Sequence, residues 1–85
     1  MISAEKVIDL IKEAGTGVDE SKLNPSAVLT DIGADSLDMM SIILAVQEAT
    51  DLEIPDEDLD GLRTVNDIVV YVNERISGAT KSENA

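Results

Sequence analysis

Residues 35–50, DSLDMMSIILAVQEAT, set one serine between two aspartates and follow it with an apolar run. Met39, Ile42, Ile43 and Val46 recur at i, i+3, i+4 and i+7, which predicts a helix with one core-facing side. Asp35 stands as its N-cap, with Asp38 in the first turn where the helix dipole favours an acid. Leu37, Met40 and Leu44 fall on a second stripe, beside Asp38, Ser41 and Glu48. A helix apolar on two sides is either buried all round or offers one side to a partner. The chain has 85 residues, enough for one domain with a modest core. Full burial is hard to arrange at that size, so the stripe is read as exposed and rimmed by acid, with additional core as the alternative.

Working outward, Val7, Leu10, Ile11 and Ala14 predict a first helix over residues 3–14, capped by Ser3 and ended by Gly15 and Gly17. The connection over residues 16–34 is long for so small a domain, but Val18, Leu23, Val28, Leu29 and Ile32 can pin it to a core. Past Pro55 there is room for one short helical turn, anchored by Leu52, Ile54, Leu59 and Leu62. Thr64 then caps a last helix, with Asp67 as an acidic variant of the capping box. Val65, Ile68, Val69, Val72 and Ile76 trace its inner face up to Gly78. The expected fold is all-α: a small bundle of three main helices plus one short helix, with a long loop between the first two. Residues 1–77 form the bundle and residues 78–85 a disordered tail.

Composition narrows the function. Six basic against eighteen acidic residues give a formal charge of -12. Residues 23–62 hold ten of the acids and no Lys or Arg. Such a surface repels nucleic acid and anionic membrane and attracts basic protein surfaces. The absence of cysteine and histidine leaves no disulfide framework and no ordinary zinc site. The first fifteen residues are charged and amphipathic rather than signal-like, so a soluble, cytoplasmic protein is expected.

Ser36 is the chemical question. A nucleophilic serine needs a base, usually histidine, and the chain has none. Nor does a glycine follow the serine as in a nucleophile elbow. Hydrolysis is therefore set aside, and no enzyme activity is expected. A serine at a helix start is ordinarily a cap, but Asp35 already fills that role, which leaves the hydroxyl free at the first turn.

The residues from 31 to 72 closely resemble the acyl carrier proteins of fatty acid and polyketide synthesis. The motif Asp31-Ile32-Gly33-Ala34-Asp35-Ser36-Leu37-Asp38 carries the likeness. So do the Ile-Pro-Asp-Glu-Asp run over residues 54–58 and the Thr-Val-x-Asp-Ile-Val run over residues 64–69, and the similarity extends ungapped over about residues 4–76. The resemblance implies that a separate magnesium-dependent transferase esterifies Ser36 with 4'-phosphopantetheine from coenzyme A, and that the arm's thiol carries acyl groups. A helix start can offer backbone N–H groups to a phosphodiester. Asp35 would help dock the transferase or its metal. Leu37, Asp38, Met40, Ser41, Leu44, Glu48 and Asp56 would meet basic ketosynthases, acyltransferases and other acyl-processing enzymes. A monomer is expected.

Where fatty-acid members carry Glu, this chain has Ser41, Gln47 and Ala49, and it has Val28 and Thr50 in place of family aromatics. These departures point to a dedicated carrier for a specialised pathway. An aminoacyl or aryl carrier is the near alternative, though the GADSLD form favours acyl cargo. From another class, Asp56, Asp58, Asp60, Gly61 and Asp67 match much of an EF-hand calcium loop. Against that stand Asp rather than Glu at the twelfth position, Arg63 within the loop, and no second loop. Weak divalent binding at Asp56, Asp58 and Asp60 is the milder expectation.

Overall fold

The computed structural model describes the backbone of residues 1–84 and the side chains of residues 1–76. It holds three α-helices: α1 (Ala4–Glu13), α2 (Ser36–Thr50) and α3 (Val65–Asn84). Short 3-10 turns lie at Glu20–Lys22 and Leu29–Ile32, and a longer one, Asp56–Gly61, is the expected short helix past Pro55. Among the described residues the only extended pairing is an isolated antiparallel bridge between Val28 and Thr64. The fold is the expected all-α bundle.

Each helix start follows from its capping residue. The Ser3 hydroxyl accepts the Lys6 N–H at 3.1 Å, satisfying one donor the helix cannot use itself. At the other end Gly15 turns left-handed, with φ +69°. α3 opens on a reciprocal pair. Thr64 Oγ1 accepts the Asp67 N–H at 3.0 Å, and Asp67 Oδ2 accepts the Thr64 N–H at 3.2 Å. The Arg63 N–H donates to the same oxygen at 3.1 Å.

The core is aliphatic. Val7 and Ile11 of α1, Ile42 and Val46 of α2, and Val65, Ile68 and Val72 of α3 are buried together with Leu29 of the long loop. Burying one such side chain contributes about 1.5–3 kcal/mol, so a small domain needs most of them. The long loop is packed rather than loose, as expected. Leu29 N–H donates to the Arg63 carbonyl at 2.9 Å, and the Asn66 N–H, an orphan donor in the first turn of α3, reaches the Pro25 carbonyl at 2.9 Å. The chain start is held from 71 residues away: the Asn73 side-chain amide accepts the Ile2 N–H at 2.8 Å and donates to the Ile2 carbonyl at 3.0 Å.

Two expectations need correction. Ile76 is 39 % exposed rather than core, lining an open cleft with Met1, Ile2 and Thr50 instead of packing into the bundle interior. The backbone of α3 also passes through Gly78, where the sequence predicts its end. A single glycine costs a helix about 1 kcal/mol relative to alanine and does not by itself stop one. The expected tail, residues 78–85, falls where no side chain is described, and Ala85 lies wholly outside the described residues.

Candidate functional site

The start of α2 is organised by two aspartates. Asp35, extended at φ -99° and ψ -172°, accepts the Asp38 N–H on Oδ1 at 2.8 Å. Asp38 answers through Oδ2, which accepts the Asp35 N–H at 3.2 Å and the Gly17 N–H at 3.2 Å. The last bond ties the helix start to the beginning of the long loop. Gly33 completes the junction. Its φ of +116° belongs to glycine, and a Cβ there would sit 2.6 Å from the Gly17 carbonyl oxygen. The Asp19 N–H closes the same approach with a 2.7 Å bond to the Ile32 carbonyl. The turn before Ser36 is thus fixed from both sides.

Ser36 is the first residue of α2, exposed to solvent. Its hydroxyl, its own N–H and the Leu37 N–H have no hydrogen-bond partner among the described residues. This arrangement leaves room for a phosphodiester on that oxygen. The hydroxyl is reachable, and two unused N–H donors lie at the positive end of the helix dipole. The two flanking carboxylates would repel a phosphate, but both point oxygens at backbone N–H groups of the cap. The site residues therefore fit a phosphopantetheine ester.

The stripe along α2 is outward, as expected: Leu37, Met40 and Leu44 are 74 %, 51 % and 55 % exposed. Ser41 and Glu48 are exposed beside it. Asp38 is only half-buried, with Oδ2 engaged by Asp35 and Gly17 rather than free along the stripe. Asp56 is exposed but sits in the 3-10 turn, outside α2.

The calcium-loop alternative is not supported. Residues 56–61 form a 3-10 turn instead of an open ligand loop. At about three residues per turn, side chains two apart splay to different sides of the axis, so Asp56, Asp58 and Asp60 do not converge. Asp58 accepts the Tyr71 hydroxyl, and Asp67 is committed to the α3 cap. Among the described residues no group of three or more His, Cys, Asp or Glu is placed to hold a metal ion.

Sequence reasoning did not find the Gly17–Asp38 tie or the Tyr71–Asp58–Arg75 cluster. In the latter the Arg75 guanidinium lies 5.3 Å from the Tyr71 ring centre. Burial first, then the hydrogen bond to Asp58, pushes the phenol above its ordinary value.

Comparison with known proteins agrees with this geometry. Residues 5–72 match the family described as "Phosphopantetheine attachment site". Over 68 residues the chain is 47 % identical to the acyl carrier protein of Syntrophobacter fumaroxidans, covering 79 % of this chain and 83 % of that one. Over 71 residues it is 45 % identical to the acyl carrier protein of Bdellovibrio bacteriovorus, covering 82 % and 90 % respectively. Among the described residues no helix is long and apolar enough to cross a membrane. With most of its length matched to that family model and to these relatives, the chain belongs to the acyl carrier protein family and carries that family's phosphopantetheine-attachment domain.

Proposed function

We propose that Ser36 is the residue esterified with 4'-phosphopantetheine, and that the chain then delivers acyl groups between enzymes of fatty acid or polyketide synthesis. The observation that carries this reading is the exposed, unpartnered Ser36 hydroxyl at the start of α2. When bound, the group supplies a thiol on a long arm, the only sulfur nucleophile available to a chain without cysteine. The chain's own residues do the holding. The Asp35–Asp38 cap fixes the turn, and the N–H groups of Ser36 and Leu37 would be the donors free to meet the phosphodiester. Asp35, exposed beside the serine, offers a carboxylate to the basic transferase or its metal.

The role is that of a carrier and not of a catalyst. The apolar centre of Leu37, Met40 and Leu44, with Ser41 and Glu48 beside it, meets successive partners with basic surfaces. Met40 is an adaptable contact for such a shared surface. For the pathway, Ser41, Gln47 and Ala49 favour a dedicated carrier over the general fatty-acid one, since charge pattern helps select partners.

The decisive experiment is intact mass after incubation with coenzyme A, magnesium and a broad phosphopantetheinyl transferase. The wild type gains one phosphopantetheine and Ser36→Ala gains none; a modified Ser36→Ala would refute the assignment. Met40→Glu then tests the stripe. It keeps the fold and the modification but slows acyl transfer by a partner enzyme, and unchanged transfer would remove Met40 from the interface.

A further inference from the structure

Two methionines stand side by side in α2, and the helix sends them to different environments. Successive residues are turned by about 100° around a helix axis, so Met39 and Met40 do not share a face. Met39 is half-buried and packed against the core, whereas Met40 is 51 % exposed. Leu37 stands three positions before Met40 and Leu44 four after it, the two spacings that make neighbours on one helix face. The Met40 thioether is therefore the centre of the exposed apolar stripe. The chain has no Cys, Trp or His to react with an oxidant in its place, and its one phenol is held by Asp58. The remaining methionine, Met1, lies in the cleft at the far end of α2, with Ile2, Thr50 and Ile76.

We propose that Met40 is a reversible oxidation site whose sulfoxide weakens hand-over to partner enzymes. This rests on the carrier reading above, and the oxidant is a peroxide. The sulfur lone pair attacks one peroxide oxygen, and the O–O bond breaks as the S–O bond forms. The displaced hydroxide takes the proton of the transferred oxygen and leaves as water. Sulfur gives up two electrons and the peroxide gains them. No bond of the chain breaks, but the surface changes. A flexible, polarisable apolar side chain becomes a polar, chiral one with an acceptor oxygen. Docking would then bury that oxygen between Leu37 and Leu44 with no donor matched to it, and an unpaired polar group is costly to bury. The fold is spared, since half of Met40 already faces water. The chain's own peroxide-sensitive group thus sits on the recognition surface and not in the core.

The test starts from the full apo chain, because the thiol of the arm would itself consume the oxidant. Hydrogen peroxide is applied and removed, fragment masses locate each added oxygen, and the transferase then loads Ser36 with an acyl arm. Met40 is expected to gain oxygen at least about fivefold faster than the half-buried Met39. Against its own unoxidised form, the oxidised wild type shows a ketosynthase KM raised about tenfold, the size of one central interface side chain lost. Its melting temperature stays the same. Met40→Leu keeps an apolar side chain at the position without the sulfur. Its KM is the same before and after peroxide, although Met1 and Met39 remain. Methionine sulfoxide reductases for both epimers restore the oxidised wild type. Equal oxidation of Met39 and Met40 overturns the inference. So do equal losses in wild type and Met40→Leu, or an oxidised wild type that transfers normally. Failure of the unoxidised chain to load at Ser36 overturns the carrier reading instead, while the order of oxidation still decides whether Met40 is the reactive sulfur.

Discussion

The starts of α2 and α3 are built with the same device and put it to different ends. In each, a cap residue and an aspartate three positions later exchange hydrogen bonds: Asp35 with Asp38, Thr64 with Asp67. In each, that second aspartate also takes a further backbone N–H, from Gly17 in one case and Arg63 in the other. The difference lies at the first helical position. Ser36 is exposed there, while Val65 is fully buried in the core. One cap presents a hydroxyl to solvent; the other drives an aliphatic side chain inward. The cap fixes a helix start, and the residue just after it determines whether that start feeds the core or leaves a group in solvent.

Exchanging the first-position residues breaks the comparison most strongly. Val65→Ser loses the burial of a valine and leaves a hydroxyl in an apolar core, a destabilisation of about 3 kcal/mol. Ser36→Val, on the exposed side, changes stability by no more than about 0.5 kcal/mol. Chemical denaturation measures both. The functional outcome is reversed: Ser36→Val takes up no phosphopantetheine, and Val65→Ser still takes up one, at Ser36. A second modification on Val65→Ser would mean that the cap alone, without exposure, defines a transferase substrate.

Removing the third-position aspartates gives a middle-sized effect that separates the two sites further. Asp38→Ala and Asp67→Ala each strand two backbone N–H groups, costing about 1–2 kcal/mol of unfolding free energy. Only Asp38→Ala releases the turn that carries Ser36, so only it slows phosphopantetheine transfer, by more than about tenfold through misplacement of the hydroxyl. Equal transfer rates for the two variants would show that the Gly17 tie does not position the serine.

Local order made much of this readable in the sequence. Ser3, Asp35 and the Thr64–Asp67 pair are caps set by neighbours three residues away, and the core face of α2 follows from a single period. The exposure of Leu37, Met40 and Leu44 followed from size, since so short a chain cannot cover two sides of one helix. What remained hidden depends on long-range pairing. The Asp38 bond to Gly17 crosses 21 residues, the Asn73 bonds to Ile2 cross 71, and no periodicity announces either. The calcium-loop likeness of the aspartates of residues 56–60, an alternative the sequence itself argues against, turns on the backbone as well. Ligand spacing in sequence predicts a site only if the backbone is an open loop, and here a 3-10 turn separates them.

The smallest effect concerns what that acidic turn does instead. Asp58 accepts the hydroxyl of Tyr71, which is the chain's single aromatic residue. Its phenol is raised by burial and then by this bond to a carboxylate. Phenolate absorbance therefore reports one group and should titrate above the ordinary value of about 10. For a group raised on folding, the native state holds its proton more tightly. The stabilisation is complete below the unfolded value and is lost as pH rises through the folded one. Asp58→Asn lowers the midpoint only part of the way back, because the burial term, the larger cause, stays. It also leaves phosphopantetheine uptake at Ser36 unchanged, since Asp58 takes no part in the α2 cap. A midpoint unmoved by Asp58→Asn would remove that carboxylate from the account and leave burial as the main cause. A loss of uptake would instead join the two acidic regions into one site, against the division of labour between the α2 and α3 caps.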